Sequence, residues 1–273
     1  YPDSAHFIYE LLQNAEDARD KAKSGSRGAS VVRFTLNKDS LEFEHDGESL
    51  FNLSDVESIT GIGDSNKLGD PTSIGKFGVG FKAVFAYTNT PEIHSGEYHF
   101  RIRDLVVPEE INWCQMGERE TLFRFPFNNA KKPATQAVSE ISHGLKALGD
   151  NTLLFLSHIR KIEYLLPDGS LGSLERFDHK DGRVEIRACQ PGEAATVSHW
   201  LRFDKNVNVT DEVDKPKTCR VAIAYNLVEE EDKKSRVTWK IVPLDQGQVS
   251  IYFPAEKETS KLRFHLHAPF AST

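Results

Sequence analysis

Apolar residues at the start of the chain recur with the spacing of an α-helix. The buried face of this predicted helix consists of Phe7, Ile8, Leu11, Leu12, Ala15, Ala18 and Ala22. Asp3 or Ser4 can cap the free amides at its start, and the glycines and serines that follow Lys23 end it. The pattern therefore predicts a first helix that runs to Lys23.

Alternation of apolar and polar residues then predicts strands. Residues 31–47 indicate two short strands around an Asn-Lys-Asp-Ser turn, and further strands are predicted within 91–107 and at 121–127. Between these segments, residues 53–60 favour a short helix with Ser54 as its N-cap. The predicted order is therefore a helix, a strand pair, a short helix and further strands.

The second half of the chain changes character after one more helix. An amphipathic helix is predicted near 134–148, and the dipeptide Asp168-Gly169 is typical of a hairpin turn. Beyond that turn the sequence consists mostly of alternating strands with charged loops. We therefore predict two segments, 1–165 and 166–273, of which the second is smaller and β-rich.

Six glycines and one proline make residues 61–80 unsuitable for a regular helix or strand. We interpret this segment as a mobile loop that leads into a helix at 79–88. Gly75, Gly78 and Gly80 would let the backbone approach a ligand where free amides at the helix start favour anionic oxygens. This predicts a phosphate-binding segment, although the Walker pattern is absent; the alternative is a tight turn that packs a helix on a sheet.

Three polar residues of the first helix stand together at the edge of its apolar face. Glu10, Asn14 and Asp17 lie within roughly 60° of one another around the helix axis. Carboxylate and amide oxygens suit Mg²⁺, which takes few protein ligands and keeps waters and substrate phosphates in its other positions. The alternative is an ordinary solvated helix face.

The predicted strand pair ends in an acid and a glycine, Asp46 and Gly47. A buried carboxylate at a strand end can accept a hydrogen bond from the exocyclic amine of adenine. The alternative is a plain Asp-Gly turn.

Composition and charge narrow the class of protein. The 273-residue chain has a net charge of −7 and a pI of about 5.8, which disfavours a protein that coats nucleic acid. Its three cysteines lack CxxC spacing, so neither zinc nor disulfides are indicated, and a reducing compartment is expected, cytoplasmic or alternatively nuclear. No apolar run approaches the ~18 to 20 residues of a membrane-spanning helix. Because the chain begins with Tyr1, we expect a fragment or a processed chain.

The order of these elements resembles the GHKL superfamily of ATP-binding proteins, and within it the sacsin-type group of chaperone-like ATPases. The resemblance rests on the segments ELLQNAEDA, HDGESLF, GIGDSNK, SIGKFGVGFKAVF, TLFRFPF, LLFLSHIRKIEY and LRFHLHAPFAST. It is strong over residues 5–165 and weaker beyond them. It implies an α/β fold of the Bergerat type, an α+β two-layer sandwich in which helices cover a mixed, mostly antiparallel sheet, followed by a middle-domain-like segment.

The resemblance implies a role for each matched residue of the first helix. Glu10 would be the general base that orients water for attack on the γ-phosphate, and Asn14 would be the Mg²⁺ ligand. Asp17 and Ala18 would lie against the nucleotide. The phosphate-binding glycine box would consist of Gly75, Lys76, Phe77, Gly78, Val79, Gly80 and Phe81.

The resemblance also implies contacts from a lid and from a strand. Ser65 and Lys67 match lid positions near the ribose and the phosphates, and Thr121 matches a strand threonine close to adenine. In this superfamily the lid closes over ATP, and closure is coupled to conformational change.

The adenine-reading motif departs from the family pattern DxGxG. If Gly47 keeps the first glycine position, His45 rather than Asp46 falls on the adenine-reading acid, and Ser49 replaces the second glycine. We favour Asp46, together with Gly47, as the nucleotide contact.

The resemblance implies a Mg²⁺-dependent ATPase module of a sacsin-like, chaperone-type protein, with ATP and Mg²⁺ as its ligands and slow turnover. The implied partners are ATP and ADP, protein clients or other domains of a larger chain, and a second copy in a nucleotide-dependent dimer. One alternative is a nucleotide-independent interaction module with a degenerate ATP site. Another is a DNA-processing ATPase of the MORC or MutL kind, which the net charge disfavours.

Overall fold

The computed structural model describes residues 6–19, 25–61, 80–112, 121–210, 216–231, 237–251 and 253–268. They form two units that are interleaved in sequence. The first contains the described residues up to Leu148, with Ser157–Ser173 and Gln190–Glu193. The second contains Gly149–Leu156, Leu174–Cys189 and the described residues from Ala194 onward.

The first unit is built on a mixed sheet. Its strands are β1 (Val31–Leu36), β2 (Ser40–His45), β3 (Glu92–Ser95), β4 (Tyr98–Arg103), β5 (Val107–Glu110), β6 (Thr121–Pro126) and β7 (Lys161–Leu165). Their order is β7-β1-β2-β6-β3-β4-β5. The β1–β7 pair is parallel, and the other neighbours are antiparallel. The predicted α/β class with a mostly antiparallel sheet is therefore confirmed.

One face of this sheet forms the core of the first unit. The register places Phe34, Phe43, Phe123 and Ile93 side by side on four neighbouring strands, and all four are buried. The ring centroids of Phe34 and Phe43 are 4.6 Å apart, close enough for aromatic contact. Because side chains alternate along a strand, the polar residues between them point to the opposite face.

Helices cover this apolar face. Helix α1 (His6–Glu16) and helix α3 (Ala134–Lys146) contact each other, α3 also contacts β1, and each helix buries a set of apolar residues. Helix α3 lies where the amphipathic pattern predicted it. A short 3₁₀ helix, Phe81–Ala86, replaces the longer helix predicted at 79–88, and Phe81 and Val84 are its buried residues.

Two predicted helix boundaries are wrong. Helix α1 ends at Glu16 instead of Lys23, because the amide of Ala18 donates to Ala15 O at 3.2 Å in a tight turn that leaves the helix. Helix α2 (Leu53–Thr60) is capped by Asn52 rather than by Ser54. Asn52 and Asp55 form a reciprocal capping box, with side chain-to-amide distances of 3.3 and 3.0 Å.

The second unit is mostly antiparallel sheet, as the β-rich prediction for this part of the chain expected. Its elements are α4 (Asn151–Leu154), the part of β8 (Leu171–Asp178) from Leu174 onward, β9 (Arg183–Cys189), β10 (Thr196–Thr210), β11 (Pro216–Glu231), β12 (Val237–Ile241), β13 (Gln248–Ile251), β14 (Phe253–Thr259) and β15 (His265–His267). Their order is β14-β13-β15-β11-β10-β9-β8, with β12 paired to β11. Gly169, at φ +85°, forms the predicted hairpin turn between β7 and β8.

Arginines of the second unit hold the end of helix α4. Arg176 donates to the carbonyls of Leu153 and Leu156, and the second of these bonds is 2.5 Å long. Arg202 donates to Leu154 O at 2.8 Å, and Arg220 donates to Phe155 O at 2.6 Å. Because carbonyls at a helix end lack partners within the helix, these bonds stabilise α4 and the turn after it. Among the described residues, no helix is long and apolar enough to cross a membrane.

Candidate functional site

The polar edge of helix α1 lies against the last glycine of the predicted phosphate-binding segment. The carboxylate of Glu10 is half-buried beside Gly80. A Cβ atom placed on Gly80 would lie 2.8 Å from Glu10 Oε1 and would overlap Oε2. Burial raises the pKa of Glu10 above its ordinary value, and the charge of His6 opposes the shift. Two residues that are 70 positions apart in sequence are therefore brought together as predicted for one site.

Asn14 follows Glu10 by about one turn of the same helix and is buried, with 7% of its surface exposed. Asp17 is half-buried in the turn that follows α1. Among the described residues, no three His, Cys, Asp or Glu side chains cluster as a metal site would require. The side-chain amide of Asn14 carries an oxygen of the kind that suits Mg²⁺.

The end of strand β2 approaches the turn after α1 very closely. A Cβ atom placed on Gly47 would lie 2.6 Å from Ala18 Cβ and 2.9 Å from Ala18 O. The amide of Ser49 donates to the same Ala18 oxygen at 3.1 Å. Gly47 is therefore needed because only a residue without a side chain permits this approach.

His45 occupies the interior position at the end of β2. Its side chain is buried, and its Nδ1 accepts a hydrogen bond from the Gly47 amide at 3.2 Å. Burial lowers the pKa of His45 to about 4, against the charge of Asp46. The ring is therefore neutral near pH 7, with the proton on Nε2.

Asp46 points elsewhere. Its side chain is exposed, and its Oδ1 accepts hydrogen bonds from the amides of Ser30 and Val31 at 2.7 and 2.8 Å. This carboxylate therefore ties the end of β2 to the start of β1. The predicted contact of Asp46 with adenine stays a prediction, and its geometry favours His45 as the inward-facing residue.

Thr121 lies opposite His45 in the sheet and is fully buried. Its hydroxyl is 2.6 Å from the hydroxyl of Ser95, which also accepts a hydrogen bond from the Phe51 amide at 3.0 Å. Sequence analysis did not single out Ser95, and no motif in the sequence marks it. The contact between the two hydroxyls holds the side chains of Ser95 and Thr121 in place beside His45.

Phe81 belongs to the aromatic core. Its ring centroid is 6.0 Å from that of Phe123 and 6.3 Å from that of Phe125. A nucleotide contact from Phe81 would therefore come from its backbone amide. The other predicted contacts lie outside the described residues, and they are Ser65, Lys67, Gly75, Lys76, Phe77, Gly78 and Val79.

Sequence analysis also missed Glu16, the last residue of helix α1. Its buried carboxylate accepts hydrogen bonds from three consecutive amides, those of residues 157–159. A signal was present in the sequence: Glu16 follows Ile8 and Leu12 at intervals of four, on the apolar stripe of the helix. A charged residue on a buried stripe requires partners.

Comparisons with known proteins agree with the predicted resemblance. Residues 45–105, which include His45, Gly47 and Gly80, match the family model of the Sacsin domain. The chain is 27% identical over 250 residues to the protein NO VEIN of Arabidopsis thaliana, and the match covers 83% of this chain and 9% of NO VEIN. It is 22% identical over 301 residues to human sacsin, covering 88% of this chain and 6% of sacsin. The chain therefore spans less than a tenth of these relatives, and its predicted resemblance to sacsin-type proteins is confirmed.

Solved structures show weaker similarity. The N-terminal domain of a DNA repair protein aligns with a TM-score of 0.47 and 11% identity, covering 96% of this chain and 83% of that one. The B-subunit of DNA gyrase from Myxococcus xanthus aligns with a TM-score of 0.46 and 13% identity, covering 92% and 66%. These scores are too low to establish a common fold.

Proposed function

Because this chain carries a match to the Sacsin domain and is a relative of sacsin and NO VEIN, we propose that it is a Mg²⁺-dependent ATPase module of a larger, chaperone-type protein. It would bind ATP, hydrolyse it slowly and pass the change of nucleotide state to other domains or to protein clients. The predicted lid, with Ser65 and Lys67, lies outside the described residues, so its closure stays a prediction.

The observation that supports this proposal most directly is the position of Glu10. Its carboxylate meets Gly80, the residue at which the glycine segment enters the 3₁₀ helix Phe81–Ala86. A general base for hydrolysis of the ATP phosphoanhydride must lie beside the amides that hold the γ-phosphate, because the attacking water has to be aligned with the bond that breaks. The raised pKa of Glu10 also makes its carboxylate a stronger base than an exposed glutamate.

Asn14 supports the proposed binding of Mg²⁺. Its amide oxygen is a hard donor on a buried surface of the same helix, and it would hold Mg²⁺. When bound, Mg²⁺ neutralises charge on the phosphate oxygens. Glu10 then orients the water and accepts its proton, while the amides of the glycine segment bind the phosphates. The protein contributes mainly positioning and charge stabilisation, as is general for phosphoryl transfer.

The part of the site that would contact adenine differs from the family pattern. The matched acid would accept a hydrogen bond from the adenine amine, whereas neutral His45 presents an N–H donor at Nε2. Such a donor can bond to N1 of adenine or to O6 of guanine. We therefore expect this chain to discriminate weakly between ATP and GTP.

The same residue favours the second candidate function, a nucleotide-independent interaction module with a degenerate site. His45 replaces the acid, and Asp46 is engaged with the amides of Ser30 and Val31. In that case Glu10 and Asn14 would be remnants, and neither nucleotide would bind.

Calorimetric titration of the 273-residue chain with ATP, ADP and GTP, with and without Mg²⁺, tests both functions. Asn14→Ala is expected to abolish MgATP binding, since the cation loses its ligand. Glu10→Ala is expected to retain binding and to lose hydrolysis, since the water loses its base. Equal MgATP affinity in the parent chain and Asn14→Ala would refute the proposed metal site, and no binding in the parent chain would favour the interaction module.

A further inference from the structure

A buried carboxylate closes the last turn of helix α1. Glu16 is 4% exposed, and its two oxygens accept hydrogen bonds from the amides of Ser157, His158 and Ile159. The bonds from His158 and Ile159 are 2.9 and 2.8 Å long. Hydrogen bonds from amides to a carboxylate are among the stronger ones in proteins, so this arrangement is well satisfied despite the burial of a charge.

The three amides belong to the connection that leads into strand β7. This strand is parallel to β1, with Val31 opposite Lys161. Its connection also meets β1 directly, because the amide of Arg160 donates to Ser30 O at 2.8 Å. Glu16 therefore fastens α1 to a segment that is itself fixed to the sheet.

Two main-chain bonds hold the same stretch of chain. Ala15 O accepts from the amide of Ala29 at 2.8 Å, and Ala18 O accepts from the amide of Ser49 at 3.1 Å. Residues 14–18 are thus held to the rest of the first unit by these two bonds and by the Glu16 carboxylate, which bonds to three amides at once.

Glu16 also has a structural role, because a leucine at position 16 would continue the apolar stripe of Ile8 and Leu12 but leave the amides of residues 157–159 without their acceptor. Because three amides converge on one carboxylate, they fix the rotation of helix α1 about its axis and its position along that axis. Both quantities decide where the side chains two and six residues earlier, Asn14 and Glu10, point.

We infer that Glu16 is a positioning residue that orients Asn14 toward the Mg²⁺ of bound MgATP. This inference rests on the proposed ATPase function. Residues that orient a metal ligand from the outside typically change metal affinity by about 10- to 100-fold when they are replaced. Glu16→Gln keeps the size of the side chain but turns an NH₂ group toward amides that also donate, so α1 must shift.

The test compares ATP affinity with and without Mg²⁺ in variants of the 273-residue chain. The measured quantity is the dissociation constant of ATP without Mg²⁺ divided by that with Mg²⁺. In Glu16→Gln this ratio is expected to fall by about tenfold or more, toward its value in Asn14→Ala. Glu140→Gln is the matched control, since Glu140 of α3 accepts hydrogen bonds from Tyr87, Lys132 and Gln136 in the same unit. Its Mg²⁺ dependence should stay unchanged.

The outcomes distinguish failure of the positioning role of Glu16 from failure of the ATPase proposal. The positioning role is overturned if Glu16→Gln keeps the ratio of the parent chain, or if Glu140→Gln lowers the ratio as much as Glu16→Gln does. Either result leaves the ATPase proposal intact. No MgATP binding by the parent chain overturns the ATPase proposal first. If Glu16→Gln does not fold, hydrogen exchange in the parent chain replaces it. MgATP should then slow exchange of the 157–159 amides, and unchanged exchange with MgATP bound refutes the inference.

Discussion

Replacing Gly80 with alanine would test the link between the glycine segment and Glu10 without damaging the fold. Gly80 has helical backbone angles, φ −64° and ψ −44°, which alanine adopts without strain. A change from glycine to alanine at such a position removes freedom from the unfolded chain and raises the free energy of unfolding by about 0.4 to 1 kcal/mol. The described atoms nearest to the added methyl group all belong to the end of the flexible Glu10 side chain.

The size of the functional effect follows from the geometry. The new Cβ would overlap Glu10 Oε2 and lie 2.8 Å from Oε1, whereas Cβ contacts shorter than 3.0 Å essentially never occur. The carboxylate must therefore retreat by a distance on the order of 1 Å. A displacement of this size can lower a rate about 100-fold, which equals about 2.7 kcal/mol of activation free energy. The affinity for MgATP should change less than the rate, because the new methyl group is directed at Glu10, which is proposed to act on the water, and the Gly80 amide keeps its place in the phosphate-binding segment.

Single-turnover hydrolysis, MgATP titration and urea unfolding together check this prediction. Gly149→Ala is the control, because its Cβ would meet only Asn151 Oδ1, at 3.2 Å, in the second unit. In a Glu10→Ala background, Gly80→Ala should cause no further loss of rate, since the displaced group is already absent. A Gly80→Ala variant with the parent rate would refute the reasoning that the observed position of Glu10 is the hydrolytic one.

Two further predictions concern stability. The unfolded chain binds a proton on His45 near pH 6.5 and the folded chain near pH 4, so the contribution of His45 to stability is fully present above about pH 6.5 and falls by about 3 kcal/mol as the pH drops toward 4. Urea unfolding across this pH range should show the loss, to which His94 and His267 also contribute because burial lowers the pKa of each to about 4. His45→Gln should therefore make the slope shallower; an equal slope in both proteins contradicts the assignment. Arg176→Met leaves two carbonyls of the α4 end without their donor and should lower the free energy of unfolding by about 3 kcal/mol. Exposed Arg187→Met should change it by less than about 1 kcal/mol, and similar losses in both would contradict the role of Arg176.

Elements with strong periodicity were predictable from sequence. The strand pair β1–β2, strand β6 and helix α3 carry regular alternation or a clear helical stripe, and each forms where the pattern indicated. The turn at Gly169 was predictable because an Asp-Gly pair favours a positive φ at the glycine. In these elements local preference and tertiary packing agree.

Helix ends were less predictable because contacts distant in sequence decide them. Ala18 and Ala22 continue the helical spacing of α1, but the chain turns after Glu16 so that Ala18 O can accept the amide of Ser49. For α2 the sequence offers two overlapping capping boxes, one starting at Asn52 and one at Ser54, and the fold uses the earlier one. Spacing alone does not rank them.

The candidate site was predictable as a set of residues but not as a set of contacts. Glu10 and Gly80 were both named from sequence, and the fold places them together. Glu16 was not named, because its partners are backbone amides 141 to 143 residues later, and no side-chain pattern marks such amides. His45 was weighed against Asp46, and only the sheet register distinguishes the buried residue from the exposed one.

Close approach of backbone to helix α1 explains why three of the glycines are glycines, and why their replacement should differ in effect. A Cβ at Gly28 would overlap the main-chain oxygen of Glu16, and a Cβ at Gly47 would meet the methyl group and oxygen of Ala18. Neither neighbour can retreat unless the helix end moves, so both sites restrict the fold itself. At Gly80 the neighbour is a flexible carboxylate. A methyl group there displaces the proposed base and leaves the backbone in place, so Gly80 is the glycine at which catalysis separates from folding.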